Sequence, residues 1–94
     1  MSLTRPQKQQ LRSLAYALKP IVTIGNLGLT PAVQLEIHRA LEDHELVKIK
    51  IACGDRVARQ EIIQAVLAEQ AADLIQSIGH VIVIFRHSQK IQAN

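Results

Sequence analysis

The stretch Gly25-Asn26-Leu27-Gly28 lies between a short apolar run, Ile21-Val22-Thr23-Ile24, and a helix start, Leu29-Thr30-Pro31. Glycine loses more backbone freedom in a regular element than any other residue, so two of them this close end the strand and favour a turn. Thr30 is placed to cap the next helix, with Pro31 as its first helical residue. The chain is thereby committed to a strand that feeds directly into a helix. Two readings of the turn are open. Its N–H groups, with the partial positive charge of a helix N-terminus, make a phosphate-sized site. Alternatively it is a tight connection without a ligand, because short glycine patterns match by chance.

Hydrophobic periodicity assigns the remaining segments. Thr4-Arg5-Pro6-Gln7 resembles a capping box for a first helix from about Pro6 to Leu18, with Leu11, Leu14, Ala15 and Leu18 as its apolar stripe. At about 100° per residue, Arg5, Lys8, Arg12 and Lys19 fall in one sector beside that stripe, and Tyr16 falls among them. A second helix from about Pro31 to His44 turns Val33, Ile37, Ala40 and Leu41 inward. Glu45 to Ile51 alternates strictly, so Val47, Ile49 and Ile51 point to one face of a sheet and Lys48 and Lys50 to the other. Cys53-Gly54-Asp55 starts a third helix to about Gln70, whose wide apolar side predicts the most buried of the three. Strands around Asp73 to Ile78 and Val81 to Phe85, joined at Gly79-His80, close the domain as a hairpin, and the tail from His87 is expected to fray. The order α-β-α-β-α-β-β predicts a single α/β domain of the two-layer α+β kind, with its core at about residues 4–86. It implies a mixed four-stranded sheet with at least two helices on one face.

At 94 residues the chain suffices for one small domain with a core of Leu, Ile, Val and Ala. Its aromatics, Tyr16 and Phe85, are too few for a stacking platform of the RRM or OB kind. The single cysteine, Cys53, leaves no internal disulfide or Cys-rich zinc site and fits a reducing compartment. With no apolar run of about eighteen residues and no visible signal peptide, a cytoplasmic protein without a membrane partner is expected. The net charge of +3 is unevenly spread. Residues 1–35 carry Arg5, Lys8, Arg12 and Lys19 without an acid, every Asp and Glu lies between Glu36 and Asp73, and the last stretch adds Arg86 and Lys90. Such a basic pole suits a polyanion better than a small-molecule substrate.

Catalytic and metal chemistry find little to work with. Cys53 lies near a helix start, which lowers a thiol pKa, yet it has no evident base and reads better as a small residue at a strand end. His38 and His44 are six apart on a helix, where metal ligands stand three or four apart, and no HExxH or Cys/His cluster is present. Glu42, Asp43 and Glu45 read as a solvated acidic face. No catalytic residue, metal or cofactor is expected. Tyr16 either stacks on an unpaired base or sits wet-ended at the edge of the core.

Four stretches together resemble one family: Leu18-Lys19-Pro20, Ile24-Gly25-Asn26-Leu27-Gly28-Leu29-Thr30, His44-Glu45-Leu46-Val47-Lys48-Ile49-Lys50-Ile51 and Ile84-Phe85-Arg86. They are similar to the bacterial YhbY-like proteins, stand-alone CRM domains of the chloroplast RNA splicing and ribosome maturation type. The resemblance implies an RNA-binding domain with a fold like the C-terminal domain of translation initiation factor three and a KH-like GxxG loop. It implies association with large-subunit ribosomal precursors, and places Gly25 to Gly28, Lys19, Lys48, Lys50 and Arg86 on the RNA surface; Thr30, next to the loop, is a further candidate RNA contact. Many members carry a basic residue after the first glycine, where this chain has Asn26. Phosphate binding there is then expected to lean on backbone N–H groups and on Arg5, Lys8 and Arg12 nearby.

The expectation is a monomeric, non-catalytic RNA-binding factor that associates with precursor ribosomal RNA of the large subunit and ribosomal precursor particles. The rival is a protein-interaction module that docks a ribosomal protein or a second copy of itself, for which Leu35, outside the inner face of its helix, and the edge strands of a small sheet speak.

Overall fold

In the computed structural model, which describes residues 3–88, the chain forms α1 (Arg5–Ala15), β1 (Val22–Ile24), α2 (Pro31–His44), β2 (Leu46–Ile51), α3 (Arg56–Gln70), β3 (Asp73–Ile78) and β4 (Val81–Phe85). Each helix starts where a side chain satisfies a first-turn N–H group. Thr4 and Gln7 form a complete capping box before α1. The Thr30 hydroxyl accepts from the Val33 N–H at 3.2 Å, with Pro31 in the first turn of α2. Asp55 accepts from the Ala58 N–H at 2.8 Å at the start of α3. Gly54 before it has φ 78°, and a Cβ there would lie 2.8 Å from the Cβ of Ala58, so this turn admits glycine alone without a shift.

The sheet has the order β1-β2-β4-β3. β1 runs parallel to β2, with Ile24 across from Ile51, while β2 with β4 and β4 with β3 are antiparallel. The mixed four-stranded sheet is therefore as the sequence predicts. One face carries the main core: Ile24, Ile49, Ile51, Ile82 and Ile84 pack with Ile37 and Leu41 of α2 and Ile63 and Val66 of α3. Each fully buried aliphatic side chain contributes about 1.5–3 kcal/mol, so this face holds most of the stability. On the opposite face Ile75, Val83 and Phe85 pack with Ala15 and Leu11 of α1. Thus α1 adds a partial third layer to the two-layer arrangement read from the sequence.

Three further expectations change. First, α1 stops at Ala15 rather than at Leu18. The N–H groups of Tyr16, Ala17 and Leu18 bond three residues back to Ser13, Leu14 and Ala15, a tightening that ends the helix before Pro20. Leu18 consequently lies beyond the helix, and Leu14, although within it, is 57% exposed and not part of the packed stripe. Second, α3 does not stand out as the most buried helix, because it and α2 bury three residues each. Ile63, Val66 and Gln70 are its buried residues, against Ile37, Ala40 and Leu41 in α2. Geometry is the reason: α2 packs against β1, β2 and α3, and α3 shares the same core through Ile63 and Val66. Third, the chain after β4 is held as far as Ser88. That residue is buried, with its hydroxyl donating to the Glu42 carbonyl at 2.6 Å and its N–H to the Glu45 carboxylate at 2.7 Å. Glu42 and Glu45 are accordingly part of the packed structure rather than a solvated face. The remainder of the tail, with Lys90, lies outside the described residues.

Candidate nucleic-acid interface

The Gly25 carbonyl accepts the Gly28 N–H at 2.9 Å, which makes residues 25–28 a β-turn with Asn26 and Leu27 at its centre. Gly28 has φ 73°, a torsion that side-chain-bearing residues adopt at a cost. Gly25 is different. It has no such torsion, and a Cβ added there would meet nothing within 4 Å. Neither packing nor backbone strain within the protein requires glycine at this position. The tip is bare, since Asn26 is exposed and Leu27 is 90% exposed, and among the described residues the N–H groups of Asn26 and Leu27 have no partner. The turn thus offers outward backbone donors directly ahead of the capped N-terminus of α2.

Strand register places the lysines. Directly paired residues share a sheet face, so Thr23, Lys50, Val81 and Ile78 form one row across all four strands, and Lys48, Val83 and Gln76 form the next. Thr23 is two residues from Gly25, which puts Lys50 beside the loop. Lys50 is exposed, and its side chain has no hydrogen bond or ion pair among the described residues. Lys48 is partly occupied. Its Nζ donates to the Leu18 carbonyl at 3.1 Å and its own carbonyl accepts from the Ile21 N–H at 3.1 Å, so it braces the connection that carries exposed Lys19.

The other basic residues fall elsewhere. α1 starts beside Leu3, which packs with Phe85, and Phe85 stands opposite Leu46 at the start of β2. The loop lies by the other end of β2, roughly 17 Å of strand away. Arg5 and Lys8 are therefore not near the loop, and that expectation is corrected. Arg12 donates from Nε to the Ile75 carbonyl at 3.4 Å, at the bulge of β3, the sheet edge opposite β1. A helical sector shares an azimuth, but α1 spreads these charges along an axis that recedes from the loop.

Arg86 departs furthest from its expected role. Its guanidinium donates to the Gln70 carbonyl at 3.0 Å, to the Gln70 side chain at 3.2 Å and to Glu42 at 3.0 Å, with His38 Nδ1 3.1 Å away. Gln70, only 5% exposed, donates in turn to the carbonyl and side chain of Gln34. Arg86 thus ties the C-terminus of α3 and the end of β4 to α2, and its donors are directed into the protein.

Arg56 and Arg59 are the residues that the sequence reading missed. With Ile51, Gln60, Ser77 and Gly79 they line a concavity of about 370 Å³ at the end of β2 next to the loop-bearing end of β1. Arg59 also donates to the Gly54 carbonyl at 3.2 Å. A signal was present. Two arginines in the first turn of a helix, with no acid there, oppose the helix dipole and ask for another reason to be present.

Among the described residues no helix is long and apolar enough to cross a membrane, and no group of three His, Cys, Asp or Glu is placed to hold a metal ion. Cys53 is a free, half-buried thiol packed against the core.

The CRS1 / YhbY (CRM) domain family matches residues 3–86. An RNA-binding protein of Haemophilus influenzae is 45% identical over 95% of this chain and 90% of its own length. A probable RNA-binding protein of Pseudomonas aeruginosa is 39% identical over 100% of this chain and 90% of its own. The solution structure of a hypothetical Staphylococcus aureus protein, described as a candidate RNA binder, superposes with a TM-score of 0.80 at 34% identity, covering 94% of this chain and 92% of that one. This chain belongs to the CRS1 / YhbY (CRM) domain family.

Proposed function

We propose that this protein is a cytoplasmic, monomeric, non-catalytic RNA-binding factor that associates with precursor ribosomal RNA of the large subunit during ribosome assembly. The observation that carries the reading is the bare glycine turn beside Lys50: outward N–H donors, a Gly25 whose missing side chain nothing inside the protein requires, and an unpaired cation on the adjacent strand. The turn seats a stretch of RNA backbone, Lys50, Lys19 and Lys48 supply charge on one side, and Arg56 and Arg59 supply it on the other. Names of the relatives support the RNA part of this reading. Shape rather than base-edge readout sets specificity, as expected for contacts made mainly to phosphates.

Sedimentation of the tagged protein through a sucrose gradient of lysate, at low and moderate salt, tests it. Gly25→Asp is the paired variant, because the site has room for a side chain and no strained torsion. Co-migration of wild type with large-subunit precursors, and release of the folded variant, supports assembly. Wild type at the top of the gradient even at low salt removes the ribosomal role.

A second reading, a protein-docking module, rests on the apolar groove of about 440 Å³ formed by Leu14, Leu18, Ile21 and Leu46. Lys50→Glu separates the two, since RNA binding requires that charge and Lys50 lies outside the groove, whose lining includes Lys48.

A further inference from the structure

α1 ends one row of residues short of the loop-bearing edge of the sheet. Leu11 and Ala15 cover the part of the face around Val83 and Phe85, and the chain then turns away at Tyr16. The row Thr23, Lys50, Val81 and Ile78 stays open, with Ile78 65% exposed. Next to this row lies a cavity of about 320 Å³ whose lining includes Tyr16, Pro20, Ile78, Val81 and Lys48, and no carboxylate. Tyr16 is 81% exposed, so its ring is not a core residue and stands free at the rim.

We propose that this cavity receives one unpaired nucleobase, extruded from the RNA whose backbone lies on the glycine turn. The inference rests on the RNA reading given above and names the element of RNA that the site takes. Apolar walls and one aromatic ring suit a flat, weakly hydrated base. Lys50, across the row from Val81, and Lys48, in the lining, stand where the flanking phosphates of an extruded nucleotide need neutralising. The absence of any acid in the lining favours a polyanion over a basic peptide, and the small volume fits a single ring better than a helix. The single aromatic also sets the limit: one base is held, not the two or three of a sheet-wide stacking platform.

Tyr16 is the one tyrosine, and the chain has no tryptophan, so tyrosine emission reports this site alone. The test compares two fluorescein-labelled hairpins, one with a single bulged uridine and one fully paired, by anisotropy, with tyrosine emission followed separately on unlabelled copies and corrected for absorbance. The bulged hairpin is expected to bind on the order of tenfold more tightly and to quench Tyr16, with Tyr16→Ala losing that advantage and Tyr16→Phe keeping it. Ile78→Ser, on an exposed position, is expected to reduce the same advantage without unfolding the domain. Equal affinity for both hairpins, or a bulge preference that survives Tyr16→Ala and Ile78→Ser, overturns the base site and leaves the RNA reading standing. If wild type binds neither hairpin at low salt, the RNA reading fails and this site falls with it.

Discussion

Lys50 and Arg86 sit near opposite ends of the sheet, and each looks from the sequence like a cation for a polyanion. At the loop end, Lys50 stands exposed beside a turn whose central N–H groups are unused. At the far end, Arg86 has 17% of its side chain exposed and spends its guanidinium on Gln70 and Glu42, with His38 alongside. The contrast separates charge that is available to a ligand from charge that holds elements together. A positive residue in a basic stretch is a binding residue only if the fold leaves its donors unspent.

Removing the holding cation carries the largest expected effect. Arg86→Ala leaves the Gln70 carbonyl and the Glu42 carboxylate without their donor, which costs about 2–3 kcal/mol for a partly buried, charge-assisted cluster and lowers the urea midpoint. RNA affinity of the folded fraction is expected to be unchanged. A variant of full stability with lost RNA binding would invert the comparison. Next is Lys50→Glu, expected to weaken RNA binding roughly tenfold while stability moves by no more than about 0.5 kcal/mol, with Lys50→Ala lowering the log–log salt slope by about 0.7. Titration across a salt series measures both. For the wild type, some four to six neutralised phosphates give a slope near −3 to −4.

The two loop glycines sharpen the comparison within one turn. Gly28→Ala is expected to destabilise by about 1 kcal/mol, because alanine resists φ 73°. Gly25→Ala is expected to leave thermal stability almost unaltered, yet to weaken RNA binding where a backbone must approach closely. Loss of stability in Gly25→Ala would place that glycine with Arg86 among the structural residues. The smallest expected effect belongs to Arg5→Ala at the start of α1: a change in RNA affinity of less than about twofold, since its end of the helix lies far from the loop.

Much of this was legible along the chain. The capping box of Thr4 and Gln7, the cap at Thr30 and the alternation that puts Lys48 and Lys50 on one face depend on neighbours within a few residues, and all three stand in the structure as read. The extent of α1 was not legible, because Leu14 and Leu18 continue its apolar spacing while Pro20 and the turn after Ala15 take the chain elsewhere. That short helix is also what leaves the row beside Tyr16 open.

Sequence alone therefore determined the elements, their caps, and the outward turn at Gly25 to Gly28, since these follow from local torsions and hydrogen bonds. Tertiary structure decided which charges remain available. Arg86 meets Gln70 from 16 residues away and Glu42 from 44, and Lys50 comes beside the loop only because β1 and β2 pair in parallel register. Such meetings depend on how helices and strands stack, and no pattern within either segment encodes its partner.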